Sequence, residues 1–274
     1  MNMVKKMVIS LFLLISTMQL FSQSTAIFKI VYKFEYIRDT TKPKEFYEEL
    51  FALYVGKNES VFLSRSKEYN DSVKNAARED FYAGRKQSIE FNIGVPSTPE
   101  RIYTNFLQSK QTKTVEYRGN FYVVPLTMER IKWSLLPDKK MILGYACNAA
   151  TCFFKGRNYK VFYTTKLSGT SAGPWKLNGL PGIILEAKDA KNEVVFKADQ
   201  ILLKPTYYEI AVPKNSIVTT QKDIEKMMNA VNNGGANAAN GDNSGVKIVG
   251  SKFEGGNVNA KRKLIINNPI EKIP

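Results

Sequence analysis

A mainly β (α+β) fold is what this sequence predicts: a curved antiparallel sheet or partly open β-barrel carrying one or two helices. Three observations predict it. The run Phe28 to Tyr36 alternates Phe28, Ile30, Tyr32, Phe34 and Tyr36 on one face with Lys29, Lys33 and Glu35 on the other, the period-two pattern of a half-buried strand. Roughly ten such short runs follow in sequential hairpins, separated by polar turns. One convincing amphipathic helix is present, Thr220 to Val231.

After the first strand comes a polar turn around Asp39 to Lys44. Leu50 to Val55 and Ser60 to Leu63 read as a hairpin across Gly56-Lys57-Asn58. Lys67 to Asp80 is polar and lacks Pro and Gly, which fits either a helix or a disordered stretch. Ile89 to Ile93 is a short strand, and Gly94 to Pro99 is a loop by composition. Val115 to Tyr117 and Phe121 to Val123 pair across Arg118-Gly119-Asn120. Ile142 to Ala146 and Thr151 to Phe154 read as strands, and Tyr159 to Thr165 returns across Lys155 to Asn158. Ile183 to Ala187 and Val194 to Leu203 pair across Asp189 to Asn192. Thr220 is placed to cap the helix, with Asp223 suited to its N-terminal dipole and Ile224, Met227, Met228 and Val231 forming its core stripe.

The N-terminus has the organisation of a secretory signal, residues 1–22. Lys5 and Lys6 supply positive charge, and Met7 to Phe21 is an apolar stretch interrupted by Ser10, Ser16, Thr17 and Gln19. Cleavage after Ser22 is favoured over cleavage after Ala26. The remainder divides into a β-rich domain over 23–231, an Asn/Gly-rich linker over 232–259, and a C-terminal segment over 260–274. Val246 to Val249 is the linker's one strand-like stretch.

The formal charge of +15 falls to +13 without Lys5 and Lys6. For an exported chain this matches anionic envelope surfaces or acidic ligands better than nucleic acid. There is no histidine, which excludes Ser-His-Asp and Cys-His catalysis and histidine-ligated zinc. Cys147 and Cys152, the two cysteines, are five residues apart. One continuous strand would put them on opposite faces and forbid a disulfide; a turn near Asn148 to Ala150 would let them pair. No metal set or cofactor motif stands out, so neither is expected.

The most specific block is Trp133 to Asp189. It contains Gly173-Pro174-Trp175-Lys176-Leu177-Asn178-Gly179-Leu180-Pro181-Gly182-Ile183-Ile184-Leu185. Leu180-Pro181-Gly182-Ile183 fits a type II turn, with proline presetting φ and glycine supplying a positive φ. Gly173, Pro174, Gly179, Leu180, Pro181, Gly182 and Ile183 therefore read as a fold device, a tight corner feeding a hydrophobic strand. The alternative is a Gly-Pro corner on the rim of a ligand cavity. Glu186, mid-strand among apolar residues, reads first as a cross-strand ion pair. Trp133, Tyr145, Tyr163 and Trp175 are sheet-packing aromatics or, with Glu186, the lining of a pocket.

With Asp138-Lys139-Lys140, Ile142 to Cys147, Gly156-Arg157-Asn158-Tyr159, Phe162-Tyr163-Thr164, Gly179 to Ile184 and the ending Asn268-Pro269-Ile270-Glu271, the chain resembles the GLPGLI family of exported Bacteroidetes proteins. Ile183 stands where the family name has Leu, and Ala149 also departs from the usual pattern. The resemblance implies export to the periplasm or cell surface and a mostly antiparallel β domain. It implies no established catalytic residue, so none is assigned.

Three functions fit. The first is a non-catalytic binding or carrier module for a lipid or other anionic envelope ligand, with Thr220 to Val231 as a lid. The second is an assembly protein serving an outer-membrane or secreted partner. The third and least supported is a carboxylate-based hydrolase, because no spacing singles out a convergent carboxylate pair.

Overall fold

The computed structural model describes residues 24–89, 97–117, 120–167, 170–234 and 266–272. The signal segment 1–22, most of Ile89 to Ile93, residues 235–259 of the expected linker and Val246 to Val249 lie outside the described residues.

One half of the sheet is built from β1 (Phe28–Tyr36), β2 (Tyr47–Val55), β3 (Glu59–Ser64), β4 (Glu100–Asn105), β5 (Lys110–Tyr117) and β6 (Asn120–Thr127). The other half is β7 (Ser134–Ile142), β8 (Tyr145–Phe154), β9 (Arg157–Thr164), β10 (Ile183–Asp189) and β11 (Val194–Leu202). The short β12 (Ile217–Val218) and the helices α1 (Arg65–Tyr82) and α2 (Gln221–Gly234) complete the described elements. All twelve strands join one sheet in the order β12-β6-β5-β4-β3-β2-β1-β11-β10-β9-β8-β7. Every pairing is antiparallel except β12 with β6, so the sheet is mixed.

The connection between β6 and β7 dictates curvature. These strands stand ten places apart in the sheet. Laid flat at ~4.8 Å per strand they would be separated by ~48 Å. The six residues Met128 to Trp133 join them, and such a link spans at most ~25 Å. The sheet therefore curls until its two ends approach, without closing. The connecting segment crosses the open side.

Directly opposed residues share a face. Tyr32 pairs with Phe51 and Ala198, Phe34 with Phe196, and Leu53 with Phe62. This inner face is filled with aromatic side chains: the rings of Phe51 and Phe62 stack at 4.8 Å and those of Phe34 and Phe196 at 4.6 Å. Ile131 from the crossing segment and Ala172, Leu177 and Leu180 from the β9–β10 connection join the same core. The Tyr32 hydroxyl donates to the Ile184 carbonyl at 2.6 Å, so the one polar atom on this buried ring is satisfied.

Lys67 to Asp80 is helical, within α1. Ser64 caps it, its hydroxyl accepting from the Lys67 N–H at 3.0 Å. Charge rather than apolar area ties the helix to the outer face. Lys67 bonds Asp71 at 2.9 Å and Glu116 at 3.0 Å, and Glu68 accepts from the Tyr54 hydroxyl at 2.8 Å. This is why apolar periodicity alone left the segment undecided. Helix α2 presents Ile224, Met227 and Met228 to Val115 and Val124. Thr220 caps it, with its hydroxyl accepting from the Asp223 N–H at 3.2 Å.

Two readings of the sequence need correction. Ile142 to Ala146 is not one strand: Leu143 and Gly144, with φ of 49° and 83°, turn the chain from β7 into β8. Strands β4 and β7 were not anticipated. Their sequences, Glu-Arg-Ile-Tyr-Thr-Asn and Ser-Leu-Leu-Pro-Asp-Lys-Lys-Met-Ile, carry too much charge to alternate cleanly. Strand β7 is an edge, where Pro137, the register shift between Leu136 and Lys139, and the two lysines discourage pairing with another chain. Strand β8 runs unbroken through Asn148 to Ala150, so Cys147 and Cys152 lie on opposite faces, both buried and both free.

Candidate functional site

The most specific block of the sequence folds into a corner at the start of β10. Expected as a type II turn, it closes differently: the Gly182 N–H donates to the Leu180 carbonyl at 2.8 Å, a three-residue γ-turn centred on Pro181. Gly182 is at φ 138°, and a Cβ there would overlap the Thr164 carbonyl, 2.8 Å from its carbon. Glycine is required twice over, by backbone angle and by close approach. Ala172 then brackets the corner, donating to Gly182 O at 3.2 Å and accepting from Ile184 N at 2.9 Å. Gly173 and Pro174 are buried beside it, and a Cβ on Gly173 would meet the Leu177 carbonyl at 2.7 Å. Ile183 is fully buried.

Trp133 fastens the crossing segment to this corner. Its indole N–H donates to the Asn178 carbonyl at 2.9 Å. The Gly179 N–H donates to Ser171 Oγ at 2.5 Å. Gly179 has a φ of 96°, and a Cβ there would sit 3.3 Å from the Trp133 ring nitrogen. Between these two segments lies a cavity of about 790 Å³, lined by Ser109, Met128, Arg130, Lys132, Trp133 and Gly179 among others. Its wall alternates apolar and cationic groups. Arg130 and Lys132 are exposed and make no ion pair among the described residues. Glu129, also on the wall, is taken by Lys155.

Of the five residues read as possible ligand contacts, Trp133 reaches this cavity and the other four do not. Tyr145 and Tyr163 pack into the core. Trp175 donates to Glu271 Oε1 at 2.8 Å, holding the C-terminal segment. Glu186 is buried and bonded to Lys140 at 2.5 Å, with Lys197 opposite it across the strands. Arg130 and Lys132 are barely marked in the sequence. The available signal was the alternation of charged and apolar residues in Met128 to Trp133, directly ahead of a tryptophan.

A second motif cluster gathers at the opposite end of the sheet, around Arg157. All five guanidinium donors are used. They bond Asp189 at 2.6 Å, Glu193 at 3.0 Å, the Asn268 side chain at 2.6 Å, and the carbonyls of Pro269 at 2.7 Å and Ile270 at 2.9 Å. Tyr36 donates to the Asn268 carbonyl, and Asn268 Nδ2 donates to Ile37 O at 2.7 Å. Burial alone would raise the Glu193 carboxyl, but Arg157 and Lys272 outweigh it and hold it below the ordinary carboxylate value. The arrangement is a clasp: it fixes residues 268–271 against β1, β9 and β10 and leaves no donor for a substrate.

The remaining reactive groups are equally engaged. Glu49 is buried and accepts from Thr98 N at 2.8 Å, Thr98 Oγ1 at 2.6 Å and the Tyr47 hydroxyl at 2.6 Å. Burial pushes the Cys147 thiol up to about 11 and the Cys152 thiol up to about 12, far from a reactive thiolate. No group of three or more His, Cys, Asp or Glu residues among the described residues is placed to hold a metal.

No family model and no curated protein matches the chain. Solved structures of PNGF-II are similar to it. The C2 crystal form aligns with 12% identity and a TM-score of 0.49, over 75% of this chain and 32% of that one. The P21 form aligns with 11% identity and a TM-score of 0.49, over 74% and 33%. The chain thus spans about a third of the length of these structures.

Proposed function

We propose that this chain is an exported, non-catalytic binding module of the GLPGLI type, and that it takes an amphipathic, anionic envelope ligand at the corner of its signature motif. The observation that carries this reading is the 790 Å³ cavity between the crossing segment and Gly179. Its size suits a small-molecule or single-lipid site. Met128, Ile131 and Trp133 offer apolar contact, and Arg130 and Lys132 offer unpaired positive charge for an acidic head group. The interior of the curled sheet is filled by aromatic side chains, so binding belongs at its end and not inside a half-barrel.

A non-catalytic role is supported by the state of the buried carboxylates. Glu49, Glu186, Asp189 and Glu193 each have structural partners. The motif residues act as fold devices: Gly182 and Gly173 are set by close backbone approach. The basic charge and the N-terminal signal pattern support an envelope location, periplasm or cell surface.

Native mass spectrometry tests the proposal, on mature protein purified from a bacterial envelope without detergent. A stoichiometric acidic amphiphile is expected on the native chain and absent from the Arg130→Glu, Lys132→Glu variant. A bare mass for both chains contradicts it.

A further inference from the structure

The antiparallel order fixes which loops share an end of the sheet. The β2–β3, β4–β5 and β7–β8 turns lie at one end, with the close of β9 and of β11. Leucines stand out from this end. Leu107 at the β4–β5 tip is 75% exposed, Leu143 at the β7–β8 tip 47%, and Leu203 just past β11 57%. Five lysines are exposed around them: Lys57, Lys110, Lys166, Lys204 and Lys214. None of the five makes an ion pair among the described residues. At the opposite end the cations around the Arg157 cluster are taken, Lys155 by Glu129, Arg157 by Asp189 and Lys272 by Glu193, while Lys44 and Lys191 are exposed and make no ion pair among the described residues.

Leu143 is the telling residue. It occupies the first position of a two-residue hairpin turn at φ 49°. Asparagine is the preferred residue in that position, because a leucine Cβ is crowded there. The leucine side chain does not repay this by full burial. An apolar group has been placed in solvent at a position where it weakens the turn.

We infer that this end of the sheet docks on an anionic lipid surface, its leucine tips entering the head-group boundary and its unpaired lysines meeting the phosphates. The β4–β5 tip also borders two cavities. Ser109 lines the 790 Å³ cavity, while Gln108 and Lys110 line a separate pocket of about 580 Å³. A lipid leaving the surface at this tip would have the lining of both cavities beside it. Only that route rests on the binding role proposed above; docking itself requires no occupied cavity.

Vesicle flotation of the mature full chain tests the inference, with phosphatidylcholine vesicles set against vesicles that also contain phosphatidylglycerol. Binding is expected to the anionic vesicles alone and to weaken with salt. The Leu107→Asp, Leu143→Asp double variant should reduce it by roughly tenfold or more, the effect of withdrawing a buried leucine. Phe153→Asp, at the other end, should leave it unchanged. Leu143→Asn separates docking from structure, since it should raise the melting temperature while weakening flotation. Equal binding to both vesicle types, no binding, or an equal loss with Phe153→Asp overturns the inference. A lowered melting temperature with unchanged flotation for Leu143→Asn does so too. Native mass spectrometry of the unsubstituted chain, read beside its flotation, keeps the two readings apart. An adduct retained without flotation rejects the docking surface alone; flotation without an adduct rejects the cavity alone.

Discussion

Strand β8 is entered and left through turns of the same geometry. Leu143-Gly144 precedes it with φ of 49° and 83°, and Lys155-Gly156 follows it with 49° and 78°. The backbones match, but the residues serve different ends of the molecule. Lys155 is drawn into a pair with Glu129, and its carbonyl accepts from Lys272 N at 2.9 Å. Leu143 projects into solvent. One end of the sheet carries the Arg157 clasp, whose charges the chain satisfies internally. The other is held by backbone geometry at Gly182, and its five exposed lysines make no ion pair among the described residues. Turn geometry therefore builds the fold, and the side chain at the turn decides whether that end faces inward or outward.

The largest effect should come from Gly182→Val, which strikes the backbone anchor. It places a branched side chain at φ 138° against the Thr164 carbonyl. Loss of roughly 4 kcal/mol or more, or failure to fold, is expected in urea denaturation; normal unfolding would remove the steric half of the comparison. Arg157→Ala strikes the opposite anchor, leaving Asp189 buried without its cation and Glu193 with Lys272 alone. Equilibrium unfolding should show a loss of about 3–5 kcal/mol, together with faster proteolysis within residues 266–272.

The charged end should also be the acid-sensitive one. Glu193 has a depressed carboxyl value in the folded state, so its stabilising contribution is complete above the unfolded value near 4.5. That contribution disappears as the pH falls through the folded value. Melting curves across this range should flatten in Glu193→Gln and stay unchanged in slope for a variant at the leucine end. Trp133→Phe removes one hydrogen bond to Asn178 and should cost about 1 kcal/mol, with a clear loss of ligand adduct. The smallest effects should come from the paired turns. Leu143→Asn should gain a few tenths of a kcal/mol or more by relieving the positive φ, while Lys155→Asn should gain less because it also loses Glu129. Equal gains would erase the distinction between the turns.

Much of the sheet was legible in the sequence because its strands either set a buried face against one carrying charges, as β1 does, or form an unbroken buried run between turn residues, as β3 and β10 do. Strand β1 was readable to the residue for that reason. Strands β4 and β7 were hidden because their outward positions are filled by charges and, in β7, by an irregular register. Helix α1 was ambiguous because ion pairs, not an apolar stripe, hold it. The motif corner was legible as a turn, since proline followed by glycine has few uses, but the close approach to Thr164 that makes Gly182 irreplaceable is a tertiary fact. The clasp was hidden for the same cause. Arg157 and Asn268 are separated by 111 residues, and nothing local marks them as partners. The cavity residues Arg130 and Lys132 sat in a segment that reads as a plain connection.

Hydrogen exchange on the mature chain, with and without a short-chain phosphatidylglycerol below its micelle concentration, tests the central claim most directly. The account predicts slowed exchange at 128–133 and 178–180, with residues 266–272 and the start of β9 unaffected. Protection centred on the Arg157 clasp, or no protection anywhere, would contradict it.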